Sequence, residues 1–404
     1  MFDYIKIEGF RSFKKVELEM PRLAVLIGPN GGGKSNLLDL LMLMSEAGRG
    51  ELSVGINRRG GFRNVTFGFD ISREVRVEFH FRELLDQVSQ PLNLPLLEDP
   101  GKKALDVRFS VALQGQGLNY HIWEEHLRVD SPHGPSLSLV MVDRDAAGTV
   151  FRWSSSPEHQ AEERKSVNDI ELAISQVRDP NKYLAPHAVL HQFQEWAFYR
   201  DIEVGPQSPL RQPAVIRSGI RLLPNGANLS SSLYSIREKH PDAWEEILEI
   251  VRTASPNFRN LGFPAEGGDG RIILRWLEQS YENEGITANL LSDGTLKLLC
   301  LIAILKNPDP PPLICIDEPE LGLHPDWIEL VAELLQDAAM RTQVIVATHS
   351  PHIVAKMSPE QVIVAEKENG ETTLERLSAK DLGKWLKDFN LAELWLSGHF
   401  GGRP

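Results

Sequence analysis

Apolar and polar positions alternate with a two-residue period over residues 4–8 and 16–19, which predicts two strands joined by a turn at 9–13. The next stretch does not alternate. Residues 23–27 are a continuous apolar run, the pattern of a strand buried on both faces, and 36–44 is an apolar run of helical character. From about residue 50 to 153 the two-residue period returns at 75–81, 107–111, 119–123, 127–129 and 137–142. Turn clusters such as Ser131-Pro132-His133-Gly134-Pro135 separate these segments, and together they predict an antiparallel sheet. Helical spacing follows at 168–177, 189–199 and 242–253, broken by Pro180, Pro186, Pro206, Pro209, Pro213, Pro224, Pro241 and Pro256. No heptad repeat is sustained there, so this part reads as a compact helical lobe rather than a coiled-coil arm. Further strands are predicted at 272–277, 313–318 and 342–348, with a turn at 281–285 and an apolar helix running to 305. A hairpin at 362–366 and 372–377 follows, then a helix over 381–396 anchored by Trp385 and Trp395.

Composition narrows the class. The chain has 404 residues, 42% of them hydrophobic and 25% charged, which suits one large or two ordinary globular domains. A formal net charge of -13 argues against a broad, nonspecific grip on nucleic acid. Cys300 and Cys315 both sit in apolar runs and read as reduced core residues without metal-ligand spacing. His80, His121, His126 and His133 are scattered over strands and loops. Neither a signal-peptide pattern nor an apolar run of spanning length is visible; the longest candidate, 296–305, contains Lys297. A cytoplasmic protein outside the membrane is the expectation.

The chemistry starts at Gly28-Pro29-Asn30-Gly31-Gly32-Gly33-Lys34-Ser35, which fits G-x-x-x-x-G-K-S/T between a buried strand and a helix. Glycines let the backbone N–H groups of Asn30, Gly31, Gly32, Gly33 and their neighbours curl around a phosphate, and a helix N-terminus adds partial positive charge. Lys34 then reaches the β- and γ-phosphates of a nucleotide, and the Ser35 hydroxyl is placed for Mg²⁺. Far along the chain, Asp317-Glu318 ends another apolar strand. Two carboxylates beside such a run call for a cation, which Mg²⁺ on a triphosphate supplies, with Glu318 as general base toward the attacking water.

The opening through Ile27-Gly28-Pro29-Asn30-Gly31, taken with Leu291-Ser292-Asp293-Gly294-Thr295, Asp317-Glu318 and Thr348-His349-Ser350, resembles the SMC/RecF-type ATP-binding-cassette ATPases. The resemblance covers about residues 2–50 and 270–360. It implies an α/β P-loop head, with a mixed sheet core and a flanking antiparallel β lobe, carrying a compact helical insertion. The expected division is 1–156 for the first half of the head, 157–261 for the insertion and 262–404 for the second half. It further implies ATP and Mg²⁺ as cofactors. Ser35 and Asp317 would serve the metal, and Asn36 would lie with the phosphate loop. Ser292 and Gly294 would form a signature motif that meets the nucleotide of a second subunit, and His349 would contact the γ-phosphate as a catalytic switch. Arg11 is either a solvated turn residue or a neighbour of the nucleotide. Gln176 is either a surface helix residue or the glutamine that contacts Mg²⁺ and the attacking water.

The stretch Pro319-Glu320-Leu321-Gly322-Leu323-His324-Pro325 departs from SMC proteins in lacking their aspartate, and matches the P-E-x-x-L-H-P form of RecF-like and overcoming-lysogenisation-defect proteins. Glu320 or His324 would then carry communication across a dimer. After His349 the remaining chain is too short for a Toprim nuclease domain. The implied function is an ATPase whose ATP-dependent homodimer, or higher homo-oligomer, switches a separate nuclease or toxin effector in bacterial anti-phage defence. The alternative is a RecF-like ATPase acting on DNA in repair. The intact motifs argue against a third possibility, an inactive scaffold.

Overall fold

The computed structural model describes all residues except 86–104, 118, 131–137, 157–158, 267–269, 281–284, 384 and 402–404. The expected turns at 131–135 and 281–285, His133, the tail's end and the boundary at 156/157 lie wholly or partly outside the described residues.

A six-stranded sheet forms the centre, in the order Ala197–Tyr199, Leu313–Asp317, Gln343–Ala347, Leu23–Ile27, Val362–Glu368, Glu371–Arg376. Its first five strands are parallel and the last is antiparallel. Leu23–Ile27 and Gln343–Ala347 are buried along their whole length, because helices or sheet cover both faces. Alternate residues point to opposite sides. Leu26, Cys315, Ile345 and Ala347 pack toward an eight-stranded antiparallel sheet and the helices Lys34–Gly48 and Leu184–Glu195. Val25, Ile316, Val344 and Val346 pack toward Leu229–Lys239, Pro241–Ala254, Asp293–Leu305 and Pro325–Ala339. The chain thus has two cores separated by one sheet.

The eight-stranded sheet runs Phe13–Glu19, Phe2–Phe10, Val75–Phe81, Asp106–Gln116, Asn119–Asp130, Ser138–Asp145, Gly148–Ser156, His159–Lys165, every neighbour antiparallel. This is the flanking β lobe the alternation predicts. Phe79, Phe81, Phe109, Phe193 and Trp196 meet edge to face where it joins the centre.

The segment from 157 to 261 carries the helices Leu184–Glu195, Leu229–Lys239 and Pro241–Ala254, and also strands. His159–Lys165 closes the antiparallel sheet and Ala197–Tyr199 opens the central one. Helical spacing at 168–177 yields only one 3-10 turn, Ile174–Gln176. The buried Glu125 carboxylate takes the N–H groups of Ala173 (2.6 Å) and Ile174 (2.9 Å), so the turn is held from outside. Helical spacing at 189–199 ends at Glu195, because Ala197, Phe198 and Tyr199 pair with Ile314, Cys315 and Ile316. Near the C-terminus the expected long helix is three short pieces, Ala379–Leu382, Trp385–Lys387 and Leu391–Leu396. Trp395 anchors it fully buried, whereas Trp385 is 47% exposed and does not.

Candidate nucleotide site

Register builds the site. Tyr199 pairs with Ile316, Asp317 with Ala347, and Ala347 with Leu26. The C-terminal ends of four parallel strands therefore align, and Arg200, Asp317-Glu318, Thr348-His349 and the loop after Ile27 emerge along one edge. In open α/β sheets this is the edge where ligands bind.

The loop residues Asn30 to Ser35 form one tight turn into the helix Lys34–Gly48, with the Ser35 side chain exposed at its mouth. Gly33 has φ 109°, and a Cβ there would lie 2.5 Å from Thr372 Cγ2. Thr372 Oγ1 donates to Ser12 Oγ (2.8 Å) and sits 3.1 Å from Gly32 O, so the last strand of the sheet braces the loop from behind. Lys34 is buried, and its Nζ donates to Gly28 O (2.7 Å) and Pro29 O (3.2 Å) across the loop. Burial holds this ammonium below the usual lysine range, against the pull of Asp317, Glu318 and Glu320.

Asp317 is pushed above the ordinary aspartate range by burial, which Arg200 counters and Glu318 reinforces. Glu318 leaves the strand at φ 49°, a left-handed conformation uncommon outside glycine, while its N–H bonds Ala347 O at 2.8 Å. That turn swings its side chain out of the sheet, to 3.9 Å from His349 Nε2. Glu320 Oε1 accepts from Thr348 Oγ1 (2.6 Å), and its Oε2 is buried without a hydrogen-bond partner. Both bonds to Glu320 Oε1, from Thr348 Oγ1 and from the His349 N–H, are made within this chain. His324 caps the helix Pro325–Ala339, accepting the Asp326 N–H at 3.3 Å.

Arg11, in the tight turn at φ 46°, lies over the phosphate-loop helix. It donates to Asn36 Oδ1 (3.3 Å) and pairs with Asp39 Oδ2 (2.8 Å), while its buried Nε has no partner. Asn36 also donates to Ser12 Oγ at 2.6 Å, so it braces the turn. Asp39 gathers two more cations: Arg59 Nε at 2.9 Å and Arg200 Nη1 at 3.5 Å. Arg59 reaches on to Glu46 Oε2 at 2.5 Å. Asp39, Arg59, Arg200 and Thr372 belong to no motif of the sequence. The available signal was Asp39 itself, a lone charge amid the apolar 37–44 run.

Gln176 is not in this set. Its amide donates to Asn168 O, Glu171 O and Leu172 O, and its Oε1 accepts the Asn168 N–H at 2.8 Å. The neighbouring Glu171 caps Leu52 and Ser53, past the C-terminal end of the helix whose start holds the loop. A helix of 15 residues separates the two by roughly 20 Å at 1.5 Å per residue. The strand that does end beside Asp317 delivers Arg200. Ser292 and Gly294 begin the helix Asp293–Leu305: Ser292 is exposed and caps it, accepting the Thr295 N–H at 3.1 Å. Among the described residues no hydrogen bond or ion pair joins Ser292 to Lys34, Asp317, Glu318 or His349.

The donor set suits a nucleotide with Mg²⁺. The glycine turn leaves no room for a Cβ at Gly33, Lys34 spends its ammonium on loop carbonyls, and Glu320 Oε2 and Arg11 Nε are orphaned. Among the described residues no group of three or more metal-binding side chains converges. Among the same residues no helix is long and apolar enough to cross a membrane.

Comparison with known proteins agrees. Residues 1–89 match the model of an AAA ATPase domain, and residues 117–355 match that described as "AAA domain, putative AbiEii toxin, Type IV TA system". The retron Vc95 probable ATPase of Vibrio cholerae is 34% identical over 74 residues, 18% of this chain and 14% of that protein. The chain thus matches only a small part of that relative's length. Among solved structures, an Smc head bound to the C-terminal winged-helix domain of ScpA superposes with TM-score 0.57 at 15% identity, over 94% of this chain and 99% of that one. The Pyrococcus furiosus Smc head with an extended coiled coil, bound to the C-terminal domain of ScpA, gives 0.50 at 14%, over 96% and 98%. With more than half its length matched by one family model, the chain belongs to the AAA-domain family described as putative AbiEii toxin of a type IV TA system.

Proposed function

We propose that this chain binds ATP with Mg²⁺ at the loop, hydrolyses it in a composite site completed by a second copy, and uses that cycle to switch a separate effector. One observation carries the reading. Loop, carboxylates and histidine converge on one sheet edge, while Ser292 stands exposed and unattached to them. A signature hydroxyl has work to do there only if it reaches another subunit's nucleotide.

In this reading Lys34 exchanges Gly28 O and Pro29 O for the β- and γ-phosphate oxygens. Ser35 and Asp317 would hold Mg²⁺, which supplies charge neutralisation to the phosphates. Glu318, swung out of its strand, accepts the proton of the attacking water. His349 donates to the γ-phosphate from a backbone fixed by Glu320. Asn30 to Gly33 cradle the phosphates, and Ser292 and Gly294 arrive from the partner. The effector and defence setting are supported by the family's description as a putative toxin of a type IV toxin–antitoxin system and by the retron ATPase relative. An Smc head bound to a ScpA domain offers a precedent for a head that carries a separate protein. The net charge of -13 weighs against DNA as the main partner.

The test is light-scattering mass of wild type and Glu318→Gln with and without Mg-ATP, beside phosphate release. The expected result is loss of turnover and a nucleotide-dependent dimer in the variant. Unchanged turnover would overturn the assignment of Glu318, and a mass indifferent to nucleotide would overturn the composite site.

A further inference from the structure

Arg200 directly follows the strand Ala197–Tyr199 that lies beside the Asp317 strand, yet it has no role in the proposed hydrolysis. Its guanidinium stands between two carboxylates, Nη1 3.5 Å from Asp39 Oδ1 and Nε 3.7 Å from Asp317 Oδ2. Both separations are long for charge-assisted hydrogen bonds, so this cation balances two anions without being locked to either. A divalent cation at Asp317 would stand within a few ångströms of Arg200, and like charges repel at that range. The two compete for the same carboxylate, and Asp39 is the alternative seat for the arginine.

The chain beyond Arg200 is not slack. Ile202 and Leu210 are buried. Ser208 Oγ bonds Glu203 O and accepts the Leu210 N–H. Arg211 closes the loop by donating from Nε to Val204 O (2.8 Å) and Gly205 O (3.1 Å). The same buried guanidinium then reaches across the molecule. Nη1 donates to Ala288 O (3.1 Å), Asn289 O (3.2 Å) and Leu291 O (2.8 Å), and Nη2 pairs with Asp293 Oδ1. These groups bracket Ser292.

We infer that Arg200 is a resident counter-ion whose displacement from Asp317 by the metal–nucleotide complex is passed through the Arg211-clasped loop to the segment carrying Ser292. Each subunit's own site thereby sets the posture of the hydroxyl it offers to its partner. Arg200 and Arg211 are positioning residues. The inference rests on the nucleotide reading above.

The test uses the full chain with MgCl2 titrated against a fluorescent ADP analogue, and hydrogen–deuterium exchange of 198–212 and 286–295. ADP is chosen because it offers no γ-phosphate for a second copy to grip. Arg200→Ala should reach half-saturation at about fivefold lower Mg²⁺, the effect of one removed, partly screened charge. It should also lose the ligand-induced exchange change at 286–295, while Arg200→Lys retains it. Arg211→Lys should bind normally and lose that change. A wild-type magnesium midpoint in Arg200→Ala, or a wild-type response at 286–295 in either Arg200→Ala or Arg211→Lys, overturns the inference while leaving the nucleotide site intact. If the variants fail to fold, the wild type decides: 286–295 responding without 198–212 is the overturning result. No binding by the wild type overturns the nucleotide reading and this inference together.

Discussion

Glu320 and His349 are joined at 2.8 Å: the carboxylate Oε1 accepts the histidine's backbone N–H. The loop after the carboxylate strand thus fixes a residue just past the end of the neighbouring strand. The same oxygen takes Thr348 Oγ1 at 2.6 Å, so the first two residues after the strand Gln343–Ala347 hang from one side chain.

This tie predicts a separation of binding from turnover. Glu320→Ala frees the His349 backbone and breaks no hydrogen bond to the phosphate loop, removing only the smallest of the three carboxylate pulls on Lys34. Phosphate release should fall at least about tenfold, because a small misplacement of a group near the reacting atoms is costly. Nucleotide affinity, read by titration of a fluorescent analogue, should stay within about twofold. A parallel loss of affinity would mean that Glu320 supports the loop rather than the histidine.

The glycines of the loop are not equivalent. Gly33→Ala would place a methyl 2.5 Å from Thr372 Cγ2 and Oγ1, in a backbone at φ 109°. Thr372 would have to leave Ser12 and Gly32. Nucleotide binding should be lost, and the midpoint of denaturant unfolding should fall by the equivalent of about 2 kcal/mol. Gly31→Ala, at φ 77° with nothing within 4 Å, meets only the left-handed backbone cost of about 1 kcal/mol. Equal effects in the two variants would remove Thr372 from the account.

Glu125 gives a pH dependence far from the nucleotide. Burial pushes its carboxyl up to about 7, against the opposing pull of the Ala173 and Ile174 N–H groups and of Arg144. A carboxyl raised in the folded state binds its proton more tightly there than in the unfolded chain. Its contribution is fully present below the ordinary glutamate range and is lost as pH rises through about 7. Between pH 5 and 8 the wild type should lose on the order of 2 kcal/mol more stability than Glu125→Gln. Urea unfolding of both at each pH measures it, and identical slopes would show that Glu125 does not titrate in this window.

Much of the site was legible because phosphate chemistry demands local patterns. The run from Gly28 to Ser35 needs its glycines, lysine and hydroxyl at fixed spacing, and the flanking strand and helix show their burial in their own residues. Asp317-Glu318 and His349 were legible for the same reason, each at the end of an apolar run. Gln176 shows the limit. Its neighbourhood in sequence suited a metal contact, but its carboxamide closes a turn with Asn168, Glu171 and Leu172.

The sequence by itself determined the phosphate loop, its flanking strand and helix, the other buried central strands and the alternating strands of the β lobe, since periodicity, turn residues and motif spacing are properties of short stretches. Only the tertiary structure decided which charges meet. Arg200 reaches Asp39 and Asp317 because a three-residue strand pairs with Ile314, Cys315 and Ile316 in one register. Thr372 braces a loop 340 positions away because its strand closes the sheet. Pairing register and long-range packing are set by the whole core at once, and no local pattern of residues contains them.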